Sequence, residues 1–180
     1  PAKHFVLANA VPDISHRLVT LVATTKTFNL AGTMIGSMVT ADDHLRQKIS
    51  RVAAAYGTSF NRLGMMMTAT AWRTGDSWLD SLLVYLTENR RIFEDGVNQI
   101  AGVQAMSLDA TYLCWVDFND TGMASEEIIR RVQSEAEIAA NHGASFGTGG
   151  ESFLRFNIAC RRALVHDAVD RLQSAFADLQ

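Results

Sequence analysis

Cysteine is nearly absent: Cys114 and Cys160 are the only two in 180 residues. They are too few and too far apart for a disulfide framework or a CxxC metal pair, a usage that suits a reducing cytoplasm. Lysine is almost as scarce, with Lys3, Lys26 and Lys48 against thirteen arginines. Charge of one sign is missing too: 16 basic against 19 acidic residues give a net charge of −3. That leaves no electrostatic case for nucleic acid. No apolar run approaches the roughly 20 residues that a membrane helix needs. The histidines (His4, His16, His44, His142, His166) never fall at HxH or HxxxH spacing, so zinc has no local support and no metal site is expected. The chain opens Pro-Ala-Lys-His, with neither an initiator Met nor the charged-then-apolar pattern of a signal peptide. It is expected to be either processed or part of something longer.

What is present is a globular composition, 48% hydrophobic and 19% charged. A chain of this length can bury roughly 70% of the surface its unfolded form exposes. RLVTLVATT (17–25) and TMIGSMVT (33–40) have the small and β-branched character of strands, the first of them buried. Asp42 is placed to cap a helix in which Leu45, Ile49, Val52 and Ala53 recur at helical spacing, ending near Gly57. Phe60, Leu63, Met66 and Met67 form the stripe of a further segment, and Met65 to Met67, Trp72, Trp78 and Trp115 are expected to be packing residues. Gly75-Asp76-Ser77 then opens the longest helix, of about 25 residues and nearly 40 Å. A helix that long is expected to bridge two domains, with a boundary near 72–77. Beyond Gly102 come a strand at 111–118, a helix over 125–141 capped by Ser125 and closed by Asn141-His142-Gly143, a Gly147–Gly150 loop, a strand at 152–159 and a closing amphipathic helix at 162–178. The fold class is α/β.

Two positions carry chemistry. Lys26, in TTKTFNLAG, directly follows a strand. A lysine held in low dielectric has its charged form disfavoured and its amine made nucleophilic, as imine chemistry with an aldehyde cofactor requires. The Thr24 and Thr25 hydroxyls could hold a phosphate, with Gly32 letting the chain turn closely past it; the bland alternative is a solvated charge at a strand end. Arg155 lies inside the apolar strand Phe153-Leu154-Arg155-Phe156, where an unpaired guanidinium is expensive to bury. Alternation could turn it to water, or it could clamp a substrate carboxylate with its planar fork. The Gly147–Gly150 loop leads into a strand and not a helix, so it reads as an edge loop. No histidine is patterned with Cys160, which argues against thiol nucleophilicity.

The run TTKTFNLAG resembles the segment around the cofactor lysine of fold-type-I pyridoxal-phosphate (PLP) enzymes, in the MalY/PatB-type branch of cystathionine β-lyase-like C–S lyases and related class I/II aminotransferases. The likeness continues through DSWLDSLLVYLTENR (76–90), ATYLCWVDF (110–118) and SFGTGGESFLRFNIACRR (145–162). It implies that Lys26 is the Schiff-base lysine and general base, that Arg155 binds the substrate α-carboxylate, and that Thr25 and Thr24 lie near the cofactor phosphate. Two departures stand out: Ala23, where a serine is often found, and Arg161, where the family has proline. The aspartate that pairs with the pyridine nitrogen belongs roughly thirty residues before the lysine in this family. Here Asp13, in VPDIS, does not match its motif. The chain therefore resembles the C-terminal half of such an enzyme, with an N-terminal segment missing.

The resemblance implies the end of a fold-type-I large-domain sheet (1–72), a long interdomain helix (73–104) and a small C-terminal α/β domain (105–180). It also implies PLP as cofactor, an amino-acid substrate and a homodimer. The activity expected is C–S β-lysis, with an aminotransferase as the alternative and a non-catalytic fragment or subunit as the third reading.

Overall fold

In the computed structural model, which describes residues 4–179, the chain divides into two compact units, 4–82 and 83–179. The division falls between Leu82 and Leu83, within the longest helix and inside the 73–104 stretch. No helix among the described residues is long and apolar enough to cross a membrane.

The first unit opens with a helical turn α1 (Leu7–Ala10) and a 3₁₀ segment at Pro12–Arg17. A two-stranded antiparallel ribbon follows, β1 (Thr20–Val22) against β2 (Ser37–Val39), with Leu21 opposite Met38. Between the strands lies the single turn α2 (Thr24–Thr27). The expected strand 17–25 is thus cut to three residues, because helical turns claim both of its ends. It is also not a buried strand: Leu21 is 72% exposed, since only one edge of a narrow ribbon pairs it. The strand expected over 33–40 is shortened in the same way, by a 3₁₀ turn at Ala31–Thr33 and a left-handed Met34 at φ 50°.

Helix α3 (Asp43–Ala55) begins where expected, with the Leu45 amide donating to the Asp42 carboxylate at 2.7 Å. Past its end Gly57, at φ 62°, takes the left-handed turn that glycine tolerates. Helix α4 (Arg62–Thr74) is capped by Asn61, whose side-chain oxygen accepts from the Gly64 amide at 3.2 Å. Met65, Met66, Met67, Trp72 and Trp78 were expected inside, yet all are exposed, between 44% and 59%. The ribbon is too narrow to cover both helices, so helical periodicity there marks an apolar face without a layer over it.

The second unit holds the core. Helix α5 (Asp76–Val97) is 22 residues long, and its C-terminal half packs under a four-stranded antiparallel sheet ordered β3-β4-β6-β5. The strands are β3 (Gln104–Ala105), β4 (Leu113–Asp117), β5 (Asn141–His142) and β6 (Phe153–Asn157). Period-two alternation is clean in the central pair: Cys114, Val116, Leu154 and Phe156 are buried on one face with Phe93 and Val97 of α5. The Phe93 and Phe156 rings meet at 5.2 Å. Helix α7 (Arg162–Ala175) adds Val165, Val169 and Leu172. It comes close to α5 because Gly96 has no side chain; a Cβ there would sit 2.3 Å from the Val169 methyl.

One expected helix is much shorter. Helix α6 (Ser125–Arg130) runs into a π turn at Arg131–Glu135, and Glu137 is left-handed at φ 53°. The chain then leaves the helix so that Asn141 and His142 can pair with β6. Sheet pairing overrides local propensity here, so Asn141-His142 is an edge strand and Gly143 opens a 3₁₀ turn, in place of the expected helix end. Nor does Ser125 cap α6: its hydroxyl donates to the Glu151 carbonyl. The turn is stapled by Glu127, which receives Arg130 at 2.7 Å and Arg131 at 2.9 Å and is thereby held down at about 2.

Arg161, at the residue preceding α7, has φ −62°, within the range a proline ring imposes. Its amide makes no backbone hydrogen bond among the described residues. Arg161→Pro is therefore expected to stabilise the protein by about 0.4–1 kcal/mol through the unfolded state. A rise in the urea midpoint checks this; a fall shows that the arginine side chain outweighs the backbone term.

Candidate active site

Lys26 sits on α2, a turn anchored at both ends within the first unit. On one side Thr24 is completely buried, and its hydroxyl meets that of Thr68 on α4 at 2.9 Å. On the other, Phe28 packs on Gly75, where a Cβ would lie 2.4 Å from the ring, and stacks on Trp78 at 5.8 Å. Backbone bonds from Phe28 N–H to Thr24 O and from Leu30 N–H to Thr25 O, both 3.0 Å, close the turn. Between the anchors Thr25 is half-buried and Lys26 exposed. Among the described residues neither the Lys26 amine nor the Thr25 hydroxyl has a hydrogen-bond or ion-pair partner.

Two expectations change on this geometry. The low-dielectric setting foreseen for Lys26 is not made by residues 4–82, because α2 projects from a ribbon whose neighbouring residues 21–23 are exposed as well. Thr24 turns inward onto Thr68, away from the surface that carries Lys26.

Arg155 occupies the middle of β6 in the second unit, on the face opposite Leu154 and Phe156, and is half-buried. Its register partners are Trp115 on β4 and Asn141 on β5. The Nη2 group donates to the Asn141 side-chain oxygen at 3.0 Å, and the guanidinium carbon lies 4.4 Å from the centre of the Phe146 ring. The Nε–H is buried and unpaired. Trp115 completes an aromatic wall, stacked on Phe153 at 5.6 Å and edge-on to Phe146 at 5.5 Å.

The Gly147–Gly150 loop belongs to this wall. Gly143 and Gly150 touch backbone to backbone, a Cβ on either falling 2.3 Å from the other's carbonyl oxygen. This contact closes the turn that carries Phe146. Burial pushes the Cys160 thiol upward and so disfavours its thiolate, and the wholly interior Cys114 is pushed to about 12, first by burial and then by Glu94. Phe146 and Thr68 are not singled out by the sequence, and Asn141 only as part of a helix end. Their signal is spatial, coming from partners across strands and helices.

Each unit offers its own donors: the first an unpaired primary amine beside an unpaired hydroxyl on a fixed turn, chemistry that suits a carbonyl group and a phosphate, and the second a guanidinium with unused donors on a sheet, which suits a carboxylate.

No protein-family model matches the chain. Individual relatives do. It is 30% identical to cystathionine β-lyase PatB of Bacillus subtilis over 97% of this chain and 46% of the relative. It is 27% identical to cystathionine β-lyase of Corynebacterium glutamicum over 95% of this chain and 46% of the relative. Among solved structures, cystalysin from Treponema denticola, which contains a pyridoxal 5′-phosphate cofactor, superposes with a TM-score of 0.89 at 26% identity, covering 99% of this chain and 46% of that one. Aminotransferases stand among the more distant relatives, at 21% and 23% identity. The chain spans about half the length of the relatives it matches.

Proposed function

We propose that this chain, related over nearly its whole length to the C-terminal part of MalY/PatB-type enzymes of fold type I, carries the lysine and the carboxylate-binding arginine of a PLP-dependent C–S β-lyase. The observation that carries the reading is the Lys26 turn: an unpaired amine on a single turn pinned by Thr24 to Thr68 and by Phe28 to Gly75 and Trp78. Lys26 Nζ would hold the cofactor's carbonyl carbon. Once displaced by a substrate amine, it would take the proton from the substrate Cα as general base. The Thr25 hydroxyl is free to donate to a phosphate oxygen, while Thr24 acts from the interior by fixing the turn. Arg155 would hold the α-carboxylate and so orient the Cα–H bond. PLP, when bound, supplies the electron sink that makes that proton removable.

Loss of the Cα proton would let a thiolate leave Cβ with the C–S electron pair. Lys26 Nζ would then take back the cofactor carbon and free the enamine, and water would convert that enamine to pyruvate and ammonia. The acid for the pyridine nitrogen and the rest of the phosphate grip are assigned to a further segment, and the assembly to a homodimer. Transamination is the second reading, favoured by the aminotransferase relatives. It shares the Lys26 and Arg155 roles but needs a 2-oxo acid to complete its cycle. Pyruvate release from L-cystathionine without an added oxo acid separates the two.

The decisive test is chemical. The protein is incubated with PLP, reduced with borohydride and mapped by peptide mass. With three lysines in the chain, a single modified residue at Lys26 is expected. Absence of label at Lys26, or equal labelling of Lys3 and Lys48, overturns the assignment and leaves the non-catalytic reading.

A further inference from the structure

We infer that Phe146 and Asn141 are positioning residues for Arg155, fixing its guanidinium so that the Nε edge is withdrawn and the unpaired Nη1 group is presented to a carboxylate. The inference rests on the proposed role of Arg155 as carboxylate binder and names what gives that role its geometry. A guanidinium has five N–H donors in one plane, and a free arginine side chain rotates among several ways of offering them. Here one Nη2 proton is held by the Asn141 oxygen at 3.0 Å. The Phe146 ring covers one face at 4.4 Å, and the Nε–H is shut away from solvent without a partner. Among the described residues Asn141 is the sole hydrogen-bond partner of this side chain, so the Nε edge is withdrawn from solvent and Nη1 is left without a partner.

The two holders are themselves fixed. Asn141 sits directly opposite Arg155 in the β5–β6 register. Phe146 stands on the turn closed by the Gly143–Gly150 contact and is braced edge-on by Trp115. Ser145 ties the same turn down by donating to the His142 carbonyl at 2.6 Å. A planar cation held on its face and at one corner loses little freedom on meeting a planar carboxylate, so less of the binding energy is spent on ordering.

Two measurements test this on the whole 180-residue protein. The first uses no ligand. The buried Arg155 Nε–H should give a slowly exchanging proton signal shifted by the Phe146 ring. Phe146→Leu should abolish the ring shift, Asn141→Ala should accelerate rotation about the Nε–Cζ bond, and Phe146→Tyr should restore the shift. The second titrates acetate against chloride at equal ionic strength and follows the same signal. Phe146→Leu and Asn141→Ala should each weaken acetate binding roughly three- to tenfold, with the conservative Phe146→Tyr close to the unsubstituted protein.

If Arg155→Lys abolishes acetate binding while neither holder variant moves it, the positioning inference is overturned and the carboxylate reading stands. If acetate binds no better than chloride to the unsubstituted protein, the carboxylate reading itself falls. An unchanged Nε–H signal in both holder variants also overturns the inference. Asn141→Ala, at an exposed edge position, keeps the test open should Phe146→Leu fail to fold.

Discussion

Replacing Lys26 with alanine is expected to remove the borohydride-fixed PLP label at that position and to lower pyruvate release from L-cystathionine by at least about 10²–10⁴-fold, the usual worth of a positioned general base. The loss should exceed that range if attachment of the cofactor fails together with proton transfer. Lys26→Arg separates the two ways a cation could act there. It keeps a positive charge on α2 but has no amine able to condense with a carbonyl. If Lys26 works only as a charge, Lys26→Arg keeps most of the activity; if it works as nucleophile and base, Lys26→Arg is as dead as Lys26→Ala. Lys3 and Lys48 are the only other lysines in the chain, and Lys48 belongs to α3 and not to the turn that carries Lys26. Steady-state rates and peptide mapping on the same preparations check the expectation. A fall of less than tenfold in Lys26→Ala would remove Lys26 from the chemistry.

The residues proposed to carry this chemistry stand out in the sequence by type and position, while the residues that hold them do not. Lys26 stands out because lysine is rare and because it follows a strand; Arg155 stands out because it interrupts an apolar run. Helix α3 was legible for a local reason: the Asp42 cap and the stripe behind it lie within one stretch of sequence and need no partner elsewhere. The segment after Arg130 failed for the opposite reason. Its helical pattern is real, but β6 competes for Asn141 and His142, and pairing across 14 residues leaves no periodic trace between Arg155 and Asn141. Thr24 and Thr68 meet across 44 residues, which no local pattern reports. The methionines of α4 mislead in another way: apolarity shows that a face avoids water, not which element covers it, and in this chain that face is open.

Asn89→Leu is expected to destabilise the protein by about 3–5 kcal/mol, a large part of the roughly 5–15 kcal/mol a domain commands. Asn89 looks ordinary in the sequence, one polar residue on a long helix, yet it is completely buried. Its amide donates to the Ile158 and Cys160 carbonyls, both at 3.0 Å, and its oxygen accepts from Arg162 Nε at 3.3 Å. One side chain on α5 thereby satisfies the backbone of the segment between β6 and α7, where neither sheet nor helix bonds are available. Leucine keeps the branching of asparagine, but its methyl groups are bulkier and cannot sit 3.0 Å from the two carbonyl oxygens; crowding therefore adds to the loss of the partner that two carbonyls and a guanidinium N–H now have. Each unsatisfied group costs about 1–3 kcal/mol, and Arg162, stacked 4.5 Å over the Tyr85 ring, can recover only part of the loss by reorienting. Asn89→Asp should be no better: it keeps the acceptor for Arg162 but turns a carboxylate toward two carbonyl oxygens. Urea unfolding of the three proteins measures the effect. Amide exchange at Arg162, whose N–H donates to the Tyr85 hydroxyl at 2.7 Å, locates it and should accelerate in both variants. A cost below about 1 kcal/mol for Asn89→Leu would mean that the segment finds other partners. A larger cost would tie the stability of the strand that carries Arg155 to a single amide on the helix beneath it.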